Sequence, residues 1–177
     1  MKISVLGTGI VGDTIGSKLI ELGHQVCMGS RVANHEKAVA FVKKNRSHAS
    51  QGTFADSAAF GEIIFNCTKG EFAIAALQLA CAANLRGRTI IDISNPLDFS
   101  KGMPPSLFVS NTDSLGEQIQ RAFPDAHVVK TLNIVNCEVM VNAGKSGGDP
   151  TMFVSGNDAG AKAQASDRDF NHKLRHD

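Results

Sequence analysis

The chain has 177 residues, with 18 Lys plus Arg against 17 Asp plus Glu. That length suits one domain able to bury roughly 70% of the surface its unfolded chain exposes. The balanced charge leaves no footprint for nucleic acid or an anionic membrane, and no apolar run approaches the roughly 20 residues that span a bilayer.

The first element is the apolar strand Ile3-Ser4-Val5-Leu6. It begins directly after Met1-Lys2 and leaves no room for a signal peptide, so a cytoplasmic protein is expected. Gly7-Thr8-Gly9-Ile10-Val11-Gly12 follows, a G-x-G-x-x-G. Glycine takes the positive φ that a tight strand-to-helix reversal requires. In a dinucleotide site Gly7 makes the turn, Gly9 lets the backbone approach a pyrophosphate, and Gly12 lets the helix lie close to the sheet. The helix then points free N–H groups and its positive dipole end at the pyrophosphate. Val11, Ile15, Leu19 and Leu22 have helical spacing, which predicts a helix from about Ile10 with Gly23 as its stop. Glycines also mark ordinary turns, so the fingerprint depends on this strand and helix around it.

Val26-Cys27-Met28 is the second strand, followed by Gly29-Ser30-Arg31. An NAD-specific domain carries an acid near this point to accept the ribose hydroxyls. Here the nearest acid downstream is Glu36. A guanidinium holds a 2′-phosphate with a fixed fork of donors, and a serine hydroxyl can add one more. Ser30 and Arg31 therefore predict NADP(H). The competing reading of Arg31 is a solvated charge opening the second helix.

Ala38, Phe41 and Val42 mark that helix, with Asn34 as its expected N-cap. Gly52-Thr53-Phe54 reads as a third strand, with Asp56 capping a single helical turn. Ile63-Ile64-Phe65 is a buried fourth strand, then Asn66-Cys67-Thr68-Lys69-Gly70 and an Ala-rich helix from about Phe72 to Ala83. Thr89 to Ile93 is the fifth strand, ending in Ser94-Asn95-Pro96 and a loop with Met103-Pro104-Pro105. Ser114 and Glu117 are spaced as a capping box for a helix with Leu115, Ile119 and Phe123 on its buried stripe and Pro124 as its stop. Val128 to Leu132 is the sixth strand. Continuous apolar strands alternating with helices specify an α/β, doubly wound parallel sheet (the Rossmann fold), in order 3-2-1-4-5-6.

Ligands of such sheets lie outside the carboxyl ends of the strands. This rule adds Thr68 and Lys69 as candidates for the cofactor ribose or pyrophosphate. It adds Ser94, Asn95 and Asn133 for the nicotinamide carboxamide, which needs both a donor and an acceptor. A helix cap or turn is the competing role for each. Cys27 and Cys81 read as buried reduced thiols, while Cys67 and Cys137 fall in the loops of the candidate site. No cysteine or histidine has metal-ligand spacing, no metal is expected, and the six His residues carry no assigned role.

Several stretches resemble the deazaflavin (coenzyme F420)-dependent NADP reductases. They are Lys2 to Gly9, Leu22-Gly23-His24, Gly29-Ser30-Arg31, Val129 to Asn133, Cys137 to Val141 and Gly147 to Gly156. The resemblance covers roughly residues 1–165, expected to be the NADP-binding domain. Related domains occur in pyrroline-carboxylate reductases and in the cytosolic part of six-transmembrane metalloreductases. It implies an oxidoreductase passing hydride between NADP(H) and a deazaflavin, a flavin or a similar acceptor, in a chain that can form a homodimer. It further implies that Thr8, Ile10 and Val11 line the pyrophosphate turn, that Ser30 and Arg31 take the 2′-phosphate, and that Asn95, Pro96 and Asn133 sit near the nicotinamide. It marks no obligate acid or base. Hydride transfer is mostly positioning, which can lower such a barrier by about 7–11 kcal/mol. Lys69 is the candidate proton donor for a carbonyl or imine substrate.

Members of that family continue past the Met152-Phe153-Val154 strand through a further strand and C-terminal helices that help form the acceptor side and the subunit interface. Here only Phe170 and Leu174 are large and apolar after Val154, so residues 166–177 are expected to fray. Two alternatives to the reductase remain: a non-catalytic NADPH-binding module, and a small imine or carbonyl reductase.

Overall fold

The computed structural model describes residues 1–148 and 150–166. In chain order the elements are β1 (Lys2–Leu6), α1 (Ile10–Glu21), β2 (Gln25–Ser30), α2 (Glu36–Asn45), β3 (Ala49–Thr53), α3 (Phe54–Phe60) and β4 (Ile63–Asn66). They continue with α4 (Ala73–Leu79), α5 (Ala82–Leu85), β5 (Thr89–Asp92), β6 (Leu97–Asp98), β7 (Ser106–Leu107), α6 (Leu115–Ala122), β8 (His127–Lys130), α7 (Cys137–Val141) and α8 (Ala159–Ser166).

Six parallel strands form one sheet in the order β3-β2-β1-β4-β5-β8. Counted along the chain this is the expected 3-2-1-4-5-6. Successive side chains alternate between the two faces. Ile3, Val5, Phe65, Ile91 and Val129 enter one core with α1 and Phe41. Leu6, Ile64, Ile90 and Val128 enter the other, with Leu77, Leu115 and Ile119. Helices on both faces explain why these strands read as unbroken apolar runs.

The outer edge of β8 is covered. Gln120 accepts from the Val128 N–H at 3.1 Å, and Ser155 exchanges backbone hydrogen bonds with Lys130 at 2.7 and 3.0 Å. This Lys130–Ser155 bridge is isolated, so Met152-Phe153-Val154 is not a strand.

Helix α1 buries Gly12, Ile15, Gly16 and Leu19 on one face. It ends as expected at Gly23, whose N–H bonds Ile20 O while the His24 N–H bonds Leu19 O, a Schellman stop.

Several local expectations fail. His35, not Asn34, caps α2, its Nδ1 accepting from the Lys37 N–H at 3.3 Å. Asn34 instead pairs with Gln51 across the β2–β3 edge. Phe54 starts α3 rather than ending β3, and Thr53 with Asp56 forms a capping box. That hydrogen bonding holds the Asp56 carboxyl below the usual carboxylate range. The expected helix from Phe72 to Ala83 is broken at Cys81, which is exposed with φ 72° and is not a buried thiol. Residues 97–107 are not a plain loop, because β6 and β7 pair as an antiparallel hairpin.

Of the segment expected to fray, Ser166 is the last residue of α8; the remainder lies outside the described residues. Among the described residues no helix is long and apolar enough to cross a membrane.

Candidate functional site

Three glycines build the turn between β1 and α1, for different reasons. Gly7 has φ 114° and donates its N–H to Gly29 O at 3.0 Å. A Cβ there would lie 2.8 Å from Cys67 O, and one on Gly12 would lie 2.0 Å from Gly7 O. The fold itself therefore demands these two glycines. Gly9 differs: its φ of −79° and ψ of −178° suit any residue, and an added Cβ meets nothing within 4 Å. The space over Gly9 is open. Gly9 is also the N-cap of α1, and no side chain caps this helix end. Free N–H groups at the head of a twelve-residue helix beside that space suit a phosphate.

Two cavities meet there. The first, of about 610 Å³, lies over β1 and β2, and its lining includes Gly7, Thr8, Gly9, Ser30, Arg31, Thr68 and Lys69. The second, of about 420 Å³, lies over β4 and β5, and its lining includes Gly9, Ile10, Val11, Thr68, Lys69, Ser94 and Asn95. Gly9, Cys67, Thr68 and Lys69 belong to both. The structure thus brings most of the predicted residues together along one edge of the sheet.

Pro96 and Asn133 are exceptions, since they line a third cavity of about 760 Å³ near α6 and β8. Asn133 still touches Asn95. Asn95 Nδ2 donates to Asn133 O at 2.8 Å, and Asn133 Nδ2 donates to Asn95 Oδ1 at 3.0 Å. The pair divides the second cavity from the third. Leu132, at φ 63°, turns the chain between Thr131 and Asn133.

Three predicted hydroxyls already use their protons inside the protein. Ser30 Oγ donates to Val32 O at 2.6 Å, Thr68 Oγ1 to Asn66 Oδ1 at 2.7 Å, and Ser94 Oγ to Asp92 Oδ1 at 2.7 Å. As they stand, these groups meet a ligand as acceptors. Arg31 and Lys69 are exposed.

The structure adds residues that the sequence reading passed over. His35 and Lys37 join Arg31 around the first cavity. Leu97 and Phe99 of the hairpin, with Val135 and Met140, wall the second. Below the loops runs a polar row formed by paired strand ends: Asn66 on β4, Asp92 on β5 and Lys130 on β8. Asn66 Nδ2 donates to Asp92 Oδ1 at 2.8 Å, and Lys130 Nζ to Asp92 Oδ2 at 2.8 Å. Cys67 is buried, and burial together with the nearby Asp92 charge raises its thiol pKa far above the ordinary value. It is therefore an inert wall residue.

The family model described as "NADP oxidoreductase coenzyme F420-dependent" matches residues 2–96. The chain is similar to the crystal structure of a candidate F420-dependent NADP reductase from Arthrobacter sp. FB24. Identity is 49%, the TM-score is 0.90, and the match covers 99% of this chain and 82% of that one. It shares its fold with Plasmodium falciparum pyrroline carboxylate reductase, solved with NADP bound, at a TM-score of 0.62 and 12% identity, over 99% of this chain and 56% of that one. Among curated proteins it is 25% identical to the metalloreductase STEAP3 of Rattus norvegicus over 94% of this chain, and it spans 31% of that relative's length.

Proposed function

The chain belongs to the coenzyme F420-dependent NADP oxidoreductase family, and from that premise we propose that it binds NADP(H) along the carboxyl edge of its sheet and passes hydride between that cofactor and a flat acceptor, a deazaflavin or a flavin. The observation that carries this reading is the pair of cavities joined over Gly9 at the head of α1. A dinucleotide is two nucleosides joined by a pyrophosphate, and two cavities that share Gly9 support that reading. The first cavity takes the adenosine end. Arg31, with Lys37 beside it, supplies the positive charge for a 2′-phosphate, and Glu36 lines the same cavity. The N–H groups of Ile10 and Val11 and the Lys69 ammonium meet the pyrophosphate, and the second cavity takes the nicotinamide end.

The bound cofactor supplies the hydride. The chain holds the two rings together and keeps water out. Ile10 is 77% exposed and Phe99 is 56% exposed on the rim of the second cavity, above Ile93 and Met140. Apolar side chains left in water at a cavity mouth suit a flat aromatic ring, whose stacking covers them. The charged groups lining this cavity are Lys69 and Glu71. Lys69 also lines the first cavity, so a small anionic imine would compete with the pyrophosphate for it.

NADPH oxidation, followed by its near-ultraviolet absorbance with deazaflavin, flavin, ferric chelate and cyclic imine acceptors, tests the reading. Turnover is expected with a deazaflavin or flavin. Turnover with the imine alone would favour the imine reductase. Tight NADPH binding with no turnover would leave a binding module.

A further inference from the structure

The loop from Ser94 to Pro96 is held by an ion pair on the sheet. Asp92 is fully buried at the carboxyl end of β5. Its Oδ1 accepts from the Ser94 hydroxyl at 2.7 Å, the Ser94 N–H at 3.3 Å and Asn66 Nδ2 at 2.8 Å. Its Oδ2 accepts from Lys130 Nζ at 2.8 Å, and Lys130 Nζ donates as well to Ser94 O. Ser94 is thus gripped through its N–H, its hydroxyl and its carbonyl. Lys130 itself is anchored by the backbone bridge to Ser155. The next residue, Asn95, has its carboxamide fixed against Asn133.

The fold does not require a charge pair in this row. The residues two positions earlier on the same strands are Ile64, Ile90 and Val128, all apolar and on the same face. A buried ion pair is often no more stable than apolar side chains of similar volume. What such a pair does provide is direction: Lys130 Nζ is held between Asp92 Oδ2 and Ser94 O.

We propose that Asp92 and Lys130 are positioning residues for the nicotinamide half of the cofactor. They fix the main chain at Ser94 and so hold Asn95, whose carboxamide pairs with Asn133, in the wall between the second and third cavities. Neither needs to touch the cofactor. The assignment rests on the dinucleotide reading above and concerns only one end of that site. The adenosine end is lined by the turns after β1, β2 and β4 and by α4, and neither Asp92 nor Lys130 is among its lining residues.

The two ends can be probed separately. Adenosine 2′,5′-bisphosphate fills only the adenosine end, whereas NADPH fills both. Lys130→Met and the double variant Asp92→Asn/Lys130→Met are titrated calorimetrically with each ligand. The double variant leaves no unpaired carboxylate in the sheet, so it reports even where Lys130→Met fails to fold. Bisphosphate affinity is expected to stay within about twofold of wild type, while NADPH affinity falls by about tenfold, the scale of one oriented hydrogen bond. Equal losses for both ligands would mark the pair as merely structural and overturn the assignment. So would unchanged NADPH affinity in the double variant. Failure of the wild-type protein to bind the bisphosphate would instead sink the dinucleotide reading, and this assignment with it.

Discussion

A Cβ on Gly12 would lie 2.0 Å from the carbonyl oxygen of Gly7, whereas one on Gly9 would meet no heavy atom within 4 Å. The two positions should therefore separate folding from binding. Gly12→Ala must push α1 off the turn, and it is expected to cost about 3 kcal/mol or more. Gly9→Ala should cost no more than about 1 kcal/mol, the usual penalty for alanine at an N-cap. It should still weaken NADPH binding by about tenfold or more, because the methyl group occupies the phosphate's space. Thermal unfolding and NADPH titration of both variants check this. Equal stability losses at the two positions would contradict it.

Arg31 should decide between NADPH and NADH. A hydrogen bond to a charged group contributes about 1.5–3 kcal/mol, and a carboxylate in its place would add repulsion. Arg31→Asp is expected to weaken NADPH binding by about 100-fold and NADH binding by less than about threefold. Ser30→Ala should do less, because the Ser30 proton is already given to Val32 O. Parallel titrations with the two cofactors read the difference. Equal losses would show that Arg31 does not read the 2′-phosphate.

The sheet and its order were legible because the inner strands are apolar runs with helical stripes between them, whereas β3 at the edge is Ala-Ser-Gln-Gly-Thr and carries no such run. The turn at Gly7 to Gly12 was legible because Gly7, with its positive φ, and Gly12, with no room for a Cβ, meet demands that no other residue meets. The cap of α2 was missed for a different reason: Asn34 has the better capping side chain, but a tertiary contact with Gln51 takes it. The polar row was missed because a single acid or amide at the end of a strand says nothing about the strand beside it. Its local half was in fact visible. Asn66 and Thr68 repeat the spacing of Asp92 and Ser94, and both pairs close the same side-chain hook at the end of a strand. Lys130 could not be placed from spacing, because 38 residues separate it from Asp92.

Cys81 offers a test of backbone strain away from the site. It is exposed at φ 72° and ψ 123°, between α4 and α5. A side chain in such a region costs about 1–3 kcal/mol, against a smaller entropy penalty for glycine. Cys81→Gly is therefore expected to stabilise the protein by about 1 kcal/mol, raising the Tm by about 2–4 °C. NADPH affinity should not change. A Tm that falls would mean the thiol contributes packing that outweighs the strain.

Asp113 sets a pH dependence at the head of α6. Its Oδ2 accepts from Arg121 Nη2 at 2.7 Å and from Gln118 Nε2 at 3.0 Å. These bonds hold its carboxyl down at about 2, below the roughly 3.9 of an unfolded chain. A folded value below the unfolded one favours the native state wherever the carboxylate is ionised in both. The contribution is thus complete above about pH 4 and is lost as pH falls through about 2. Arg121 is 61% exposed, so water and salt screen the pair and its contribution is small. Asp113→Asn should therefore unfold at a slightly lower temperature than wild type near neutral pH. The gap should close between about pH 4 and pH 2, and it should narrow in high salt. Thermal unfolding of both proteins across that range measures it. A gap that stays constant down to about pH 2 would show that the amide is disfavoured for its geometry and not for its lost charge.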